Sequence, residues 1–184
     1  MNRLIAAVFC SVLLASSVAS AQDASREGAI RDTSRHTRPQ GISAMLYVPW
    51  LYGPGIGINA RYEIPVVPDG FIPAINDQFS IEPSLGLGYR SDWGTDWDFF
   101  NITPAAYATW SFHITPKFRP YVAVGLGVDI GIWLNDDDFP GADPNSAWFF
   151  IDTAAGLFYN FSPSLAFRGE IGSGGPKAGL SFFF

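Results

Sequence analysis

The chain has 184 residues and a formal net charge of −6, with 48% hydrophobic and 16% aromatic residues beside 19 glycines and 14 prolines. The acidic balance excludes nucleic acid as a partner, since phosphate backbones select basic faces. So many aromatic, Gly and Pro residues point away from helical bundles and toward short strands joined by turns, an all-β sandwich or barrel in one domain.

Residues 1–21 carry the marks of a secretory signal. Asn2 and Arg3 precede an apolar stretch from Leu4 to Leu14, and Ala19-Ser20-Ala21 forms an A-x-A cleavage site before Gln22. The apolar stretch is shorter than the roughly 20 residues a membrane-spanning helix needs, and no later stretch reaches that length without Gly, Pro or charge. Cys10 is the only cysteine, and Ala7-Val8-Phe9 before it lacks the small residues of a lipoprotein site. A chain cleaved before Gln22 then holds no thiol, so neither a disulfide framework nor a cysteine metal site is expected.

Residues 22–40 are polar, with Arg26, Arg31, Arg35 and Arg38 interleaved with Asp23, Glu27 and Asp32. Their composition predicts a flexible periplasmic leader. A basic arm touching lipid headgroups or peptidoglycan is the alternative.

From residue 41 to 184 the hydrophobic period is two. Ile56, Ile58, Ala60, Tyr62 and Ile64 alternate with Gly57, Asn59, Arg61 and Glu63. The same pattern sets Phe79, Ile81, Leu85, Leu87 and Tyr89 against Ser80, Glu82, Ser84, Gly86, Gly88 and Arg90. Val122 to Ile132 alternate with Ala123, Gly125, Gly127, Asp129 and Gly131, and Leu165, Phe167 and Ile171 oppose Ala166, Arg168 and Glu170. Ile42 to Trp50, Asn101 to Ile114, Trp148 to Tyr159 and Lys177 to Phe184 complete eight strands. Runs of about 9–11 residues match a tilted strand crossing a bilayer. An even count puts both chain ends on the periplasmic side. The outward loops are then Leu51 to Pro54, Ser91 to Phe99, Leu134 to Ser146 and Ser173 to Pro176. The inward turns are Pro65 to Asp77, Thr115 to Arg119 and Asn160 to Ser164, of which the first is too long and apolar for a periplasmic turn.

Alternation alone does not tell a soluble barrel from a membrane one. The polar face decides, because it mixes glycines with Arg61, Glu63, Glu82, Arg90, Asp129, Asp152, Arg168 and Glu170, while Lys is confined to Lys117 and Lys177. Small residues beside charges of both signs fit a narrow lumen better than a water-facing surface. The eight charged residues are candidate lumen ion pairs, since an unpaired buried charge is strongly unfavourable. A gated polar conduit or a small-ligand site lined by the same residues is the alternative. Trp50, Tyr52, Tyr89, Trp93, Trp97, Trp133 and Trp148 near one set of strand ends, and Phe112, Phe118, Tyr159, Phe161 and Phe184 near the other, suggest two interfacial girdles. The resulting expectation is an all-β, eight-stranded antiparallel transmembrane up-and-down β-barrel with a lumen filled by side chains.

The last eight residues, Lys177 to Phe184, resemble the C-terminal assembly signal of bacterial outer-membrane proteins: Lys177, then Gly179, then aromatics at Phe182 and Phe184. Phe118-Arg119-Pro120-Tyr121-Val122-Ala123-Val124-Gly125-Leu126-Gly127 and Ser162-Pro163-Ser164-Leu165-Ala166-Phe167-Arg168-Gly169-Glu170 look like strands of the small OmpA-like and OmpW-like porin-family barrels. The resemblance spans most of residues 42–184. It implies residence in the outer membrane of a Gram-negative bacterium, a last strand that pairs with the first, and contact with the barrel-assembly machinery, outer-membrane lipid and lipopolysaccharide. For activity it implies only, by analogy with OmpW-like relatives, a narrow path for small or apolar solutes.

The outward loops are acidic, with Asp92, Asp96 and Asp98 in one and Asp136, Asp137, Asp138 and Asp143 in another. Hard divalent cations such as Ca²⁺ take such oxygen ligands, yet Asp136, Asp137 and Asp138 lack the ordered spacing of an EF-hand loop. A solvated loop meeting the divalent ions that bridge lipopolysaccharide is the simpler expectation. No cofactor is expected. Ser111 and His113 are the only approach to a lipid-modifying set, and no G-x-S-x-G elbow or metal-binding His spacing accompanies them. A structural or interaction protein is therefore expected, ahead of a transport path and well ahead of an enzyme.

Overall fold

A computed structural model describes residues 27–49, 55–91, 98–134 and 145–184. The signal segment 1–21, Trp50, loop residues 51–54, and the acidic residues Asp92, Asp96, Asp136, Asp137, Asp138 and Asp143 lie outside the described residues.

Eight strands follow one another in the described chain: β1 (Gly41–Tyr47), β2 (Gly55–Val67), β3 (Asp77–Ser91), β4 (Asp98–Phe112), β5 (Phe118–Trp133), β6 (Asn145–Ser162), β7 (Leu165–Gly172) and β8 (Gly175–Phe183). Each pairs antiparallel with the next, and β1 pairs with β8 from Gly41↔Phe183 to Tyr47↔Lys177, closing the barrel. Closure leaves no open sheet edge over the height that all eight strands share. No described helix is long and apolar enough to cross a membrane.

The period-two pattern is realised as an inside-out protein. Ser43, Asn59, Arg61, Glu63, Glu82, Arg168 and Glu170 point inward and are buried, whereas Leu46, Ile58, Val124, Leu126 and Ile151 are each more than half exposed on the outside. An apolar belt of that extent is stable only against lipid. Trp148 departs from the expected girdle. It pairs with lumen-facing Asp129, so the outward side chain at that height is Phe149, 91% exposed.

The wall is uneven. Strands β3 to β6 run 15 to 18 residues, while β1, β7 and β8 have 7 to 9. At the loop end β6 therefore rises above β7, which pairs only from Ala154↔Gly172 downward. The expected loop Ser173 to Pro176 shrinks to Ser173-Gly174, with Gly175 in the left-handed region at φ 107°.

At the opposite end, where residues 27–40 and Phe184 lie, the long segment 65–77 divides in two. Residues 65–67 extend β2 across a register shift, and residues 68–76 fold back over the outside of the barrel. Phe71 packs on Phe79 and Trp110, with centroids 5.2 and 6.2 Å apart, and its amide donates to Asp77 at 3.0 Å, as does the Trp110 indole at 2.7 Å. Gly70 sits at φ +63°, and a Cβ there would fall 2.0 Å from the Asp77 carboxyl. Only glycine satisfies both constraints. The apolar character of this turn thus comes from residues that fold onto the barrel's outer wall.

Candidate functional site

Alternation places every other residue of eight strands in the lumen, and closure brings side chains from opposite walls together. Arg61 on β2 donates through Nη1 and Nη2 to Glu170 on β7, both at 2.8 Å, and lies 3.7 Å over the Tyr107 ring. Arg168 on β7 donates to Glu82 on β3 at 2.7 Å, to Ser43 at 3.1 Å and to the Tyr121 hydroxyl at 3.0 Å. Tyr121 in turn donates to Glu170 at 2.8 Å. Bidentate and charge-assisted geometry of this kind is what low-dielectric burial of an Arg requires.

Below this layer, toward the terminal end, Arg119 donates to both oxygens of Glu63 at 3.0 and 2.9 Å and lies over the Phe158 ring at 3.9 Å. Gln78 adds a bond to Glu63 at 2.7 Å. Above it, Lys177 reaches Glu170 at 2.7 Å and Asp152 at 3.0 Å, and Asp152 also accepts from Tyr107 at 2.9 Å and Ser173 at 2.6 Å. At the loop-side rim Asn101 donates to Asp129 at 3.2 Å, and the nearest Arg90 nitrogen stands 3.7 Å from that carboxylate.

All eight candidate lumen residues therefore face inward, but two partners lie elsewhere than expected. Arg119, assigned to a turn from the sequence, is the cation on Glu63. Extending β5 by two residues puts it in phase with Tyr121 and Ala123, and that parity was the available signal. Lys177, expected as the polar position of the assembly signal, is buried between two carboxylates. Gly179 also faces inward, whereas Phe182 and Phe184 are 52% and 68% exposed on the outside. Ser111 and His113 do not assemble into a catalytic pair: the Ser111 hydroxyl has no hydrogen-bond partner and His113 Nε2 faces Gln78 at 3.4 Å.

The terminal end is covered by residues of the expected leader, and residues 27–40 are not free of the barrel. Ala29 is fully buried, Asn76 donates its amide to Ile30 at 2.8 Å and its side chain to Ala29 at 3.1 Å, and Ile30 donates to Ile114 at 3.4 Å. Arg38 donates to Pro68 O at 3.0 Å and to Asn76. Asp32 accepts from the Gly28 amide at 2.6 Å, which with Ser34 holds its carboxyl well below the usual range. A polar composition conceals this docking because backbone groups make most of the contacts. Under the cover, burial pushes His113 down to about 2, aided by the Arg119 and Arg38 cations.

A cavity of about 220 Å³ occupies the lumen above the Arg61–Glu170 layer. Tyr107, Asp152 and Lys177 line it low down, and Tyr47, Arg90 and Asp129 line it near the rim, close to the short β7–β8 turn.

A closed eight-stranded barrel with ionised side chains inside and an apolar belt outside is a transmembrane β-barrel. Its fold is that of the bacterial outer-membrane barrels. The structure of the Yersinia pestis outer-membrane protein Ail in a phospholipid nanodisc superposes with a TM-score of 0.50 at 16% identity, covering 80% of this chain and 100% of Ail. A designed transmembrane β-barrel (TM-score 0.48, 14% identity, 82% of this chain and 100% of the design) and Neisserial surface protein A (0.44, 14%, 80% and 95%) are also similar. No protein-family model matches the chain, and no curated protein matches it.

Proposed function

We propose that the chain is an integral outer-membrane protein of a Gram-negative bacterium, with a barrel sealed by its own side chains and a structural or interaction role exercised through its acidic outward loops. The observation that carries this reading is the Arg61, Glu82, Arg168 and Glu170 layer, whose members are fully or almost fully buried and hydrogen-bonded from facing strands. An eight-stranded barrel has room for side chains and little else. The small porin-family likeness of its strands, the lipopolysaccharide and lipid around it, and recognition of Phe182 and Phe184 by the barrel-assembly machinery belong to the same reading. So do divalent cations at Asp136, Asp137 and Asp138. The narrow solute path is the competing reading.

Expression in a Gram-negative host tests it. The protein should fractionate with the outer membrane, and an epitope inserted between residues 137 and 138 should be reached by antibody on whole cells. An epitope accessible only after the outer membrane is permeabilised would reverse the orientation, and recovery in the soluble periplasm would overturn the membrane assignment.

A further inference from the structure

Four consecutive apolar residues, Phe71-Ile72-Pro73-Ala74, stand exposed at the end of the barrel where residues 27–40 and Phe184 lie. Phe71 is 58% exposed and Ile72 38%, although Phe71 packs on Phe79 and Trp110. The segment that carries them is held in shape. The Gly70 amide donates to Val67 O and the Ile75 amide to Ile72 O, both at 3.1 Å, closing two successive turns, and Asp77 fixes the Phe71 amide. Its two edges differ in chemistry. Along one, Asp69 accepts from the His36 amide at 3.0 Å, and Pro68 O and Asn76 take the Arg38 guanidinium. The other edge is the uncharged run 71–74. A fixed apolar tip of this kind facing water is a liability, and facing lipid it is an asset.

The lipid-facing surface of the barrel runs directly into this tip. Phe71 meets Trp110, which packs on Phe112 at 5.0 Å, so the tip continues the aromatic residues at the lower rim of the apolar outer face. Backbone chemistry sets its depth. Irregular chain is not tolerated against the hydrocarbon interior, where each unpaired amide is costly. The amides of Gly70, Phe71, Ile75 and Asn76 are bonded within the protein, and Pro68 and Pro73 carry none. Asp69, Ile72 and Ala74 keep amides that need water or headgroup oxygens. The headgroup boundary supplies those partners while the Phe71 and Ile72 side chains reach the acyl chains.

We propose that residues 71–74 form an interfacial anchor that docks into the phospholipid leaflet at this end of the barrel. The polar edge of the same segment holds His36 and Arg38, so the anchor also ties the cover over the lumen mouth to the plane of the membrane. With the outward-loop orientation of the proposed function, the leaflet is the inner one. The docking itself rests only on the barrel's place in a membrane.

A chain beginning at Gln22 contains no cysteine, so single nitroxide labels report on chosen positions. The test is power-saturation EPR in vesicles of phosphatidylethanolamine with phosphatidylglycerol, using oxygen and a water-soluble nickel chelate as relaxants. Labels at Ile72→Cys and at Ala74→Cys are expected to favour oxygen, as does a label at Leu126→Cys in the exposed apolar belt. Their nickel access should be severalfold below that of Thr33→Cys on the exposed surface of the cover. Adding Ile72→Asp to the Ala74→Cys protein should raise nickel access to the Thr33 level. Each protein is first checked for heat-modifiable gel migration, and either anchor label serves if the other prevents folding. Nickel access at Ile72 and Ala74 equal to that at Thr33 would overturn the anchor. Low access to both relaxants would assign the tip to a contact with a second copy, which also overturns it. A Leu126 label open to nickel would refute the membrane placement of the barrel, and the anchor with it.

Discussion

Arg168 and Glu82 meet at 2.7 Å although β7 and β3, which carry them, lie diametrically opposite in the barrel order. A contact spanning the full lumen occupies its centre, and with Arg61–Glu170 this pair forms the floor that the proposed seal requires. Removing one partner strands the other charge. Arg168→Met is expected to lower unfolding stability in detergent by about 3–5 kcal/mol, and the double change Arg168→Met with Glu82→Gln by clearly less, because no ion is left uncompensated. Urea unfolding of the refolded proteins measures both.

The terminal cover should respond to acid. His113 is neutral when covered, and a cover that lifts off lets water and a proton reach it. Its folded value is depressed to about 2 from an ordinary 6.5, so docking is strongest above pH 6.5 and weakens as pH falls through the window between them, by at most about 1.4 kcal/mol per pH unit. Asp32 also acts through a lowered value, in a more acidic range. In a protein beginning at Gln22, a spin label at Thr33→Cys should gain mobility between pH 7 and pH 4, and His113→Asn should remove most of that change.

Gly70→Ala is expected to loosen the folded-back 68–76 segment, since it combines a left-handed φ with a clash against Asp77. A cost of at least about 1 kcal/mol follows. Hydrogen exchange at the Phe71 amide, which donates to Asp77, should quicken while exchange in β5 and β6 stays unchanged.

Phe182 and Phe184 face outward and are mostly exposed, so the folded barrel does not depend on their packing in the lumen. Replacing both with Ala should leave refolding in detergent nearly intact and sharply reduce the folded protein recovered from the outer membrane of cells. Equal losses in both settings would assign these residues to stability instead of recognition.

Much of this architecture is visible in period-two alternation, because in a membrane barrel the two faces differ more sharply than in a soluble one. Arg61, Glu82 and Arg168 follow from parity within long, regular strands. Arg119 and Lys177 sit beside strand ends, where the period gives no boundary, so their contacts in the lumen are not legible from it. Which Arg meets which Glu depends on the stagger of strands far apart in sequence, as with Arg61 and Glu170, and no local pattern encodes it. The docking of residues 27–40 was hidden for another reason. It rests on backbone bonds to Asn76 and Ile114, on the burial of Ala29 and on the Arg38 side chain, none of which shows as a periodic pattern.

The sealed lumen is tested most directly by single-channel recording of the refolded protein in planar bilayers, with Arg168→Ala beside the unaltered chain. The account predicts a flat record for the unaltered barrel and, at most, rare small openings when Arg168 is shortened. Regular ohmic steps from the unaltered protein would mean that ions pass the Arg61–Glu170 layer, and the claim of a side-chain seal would be wrong.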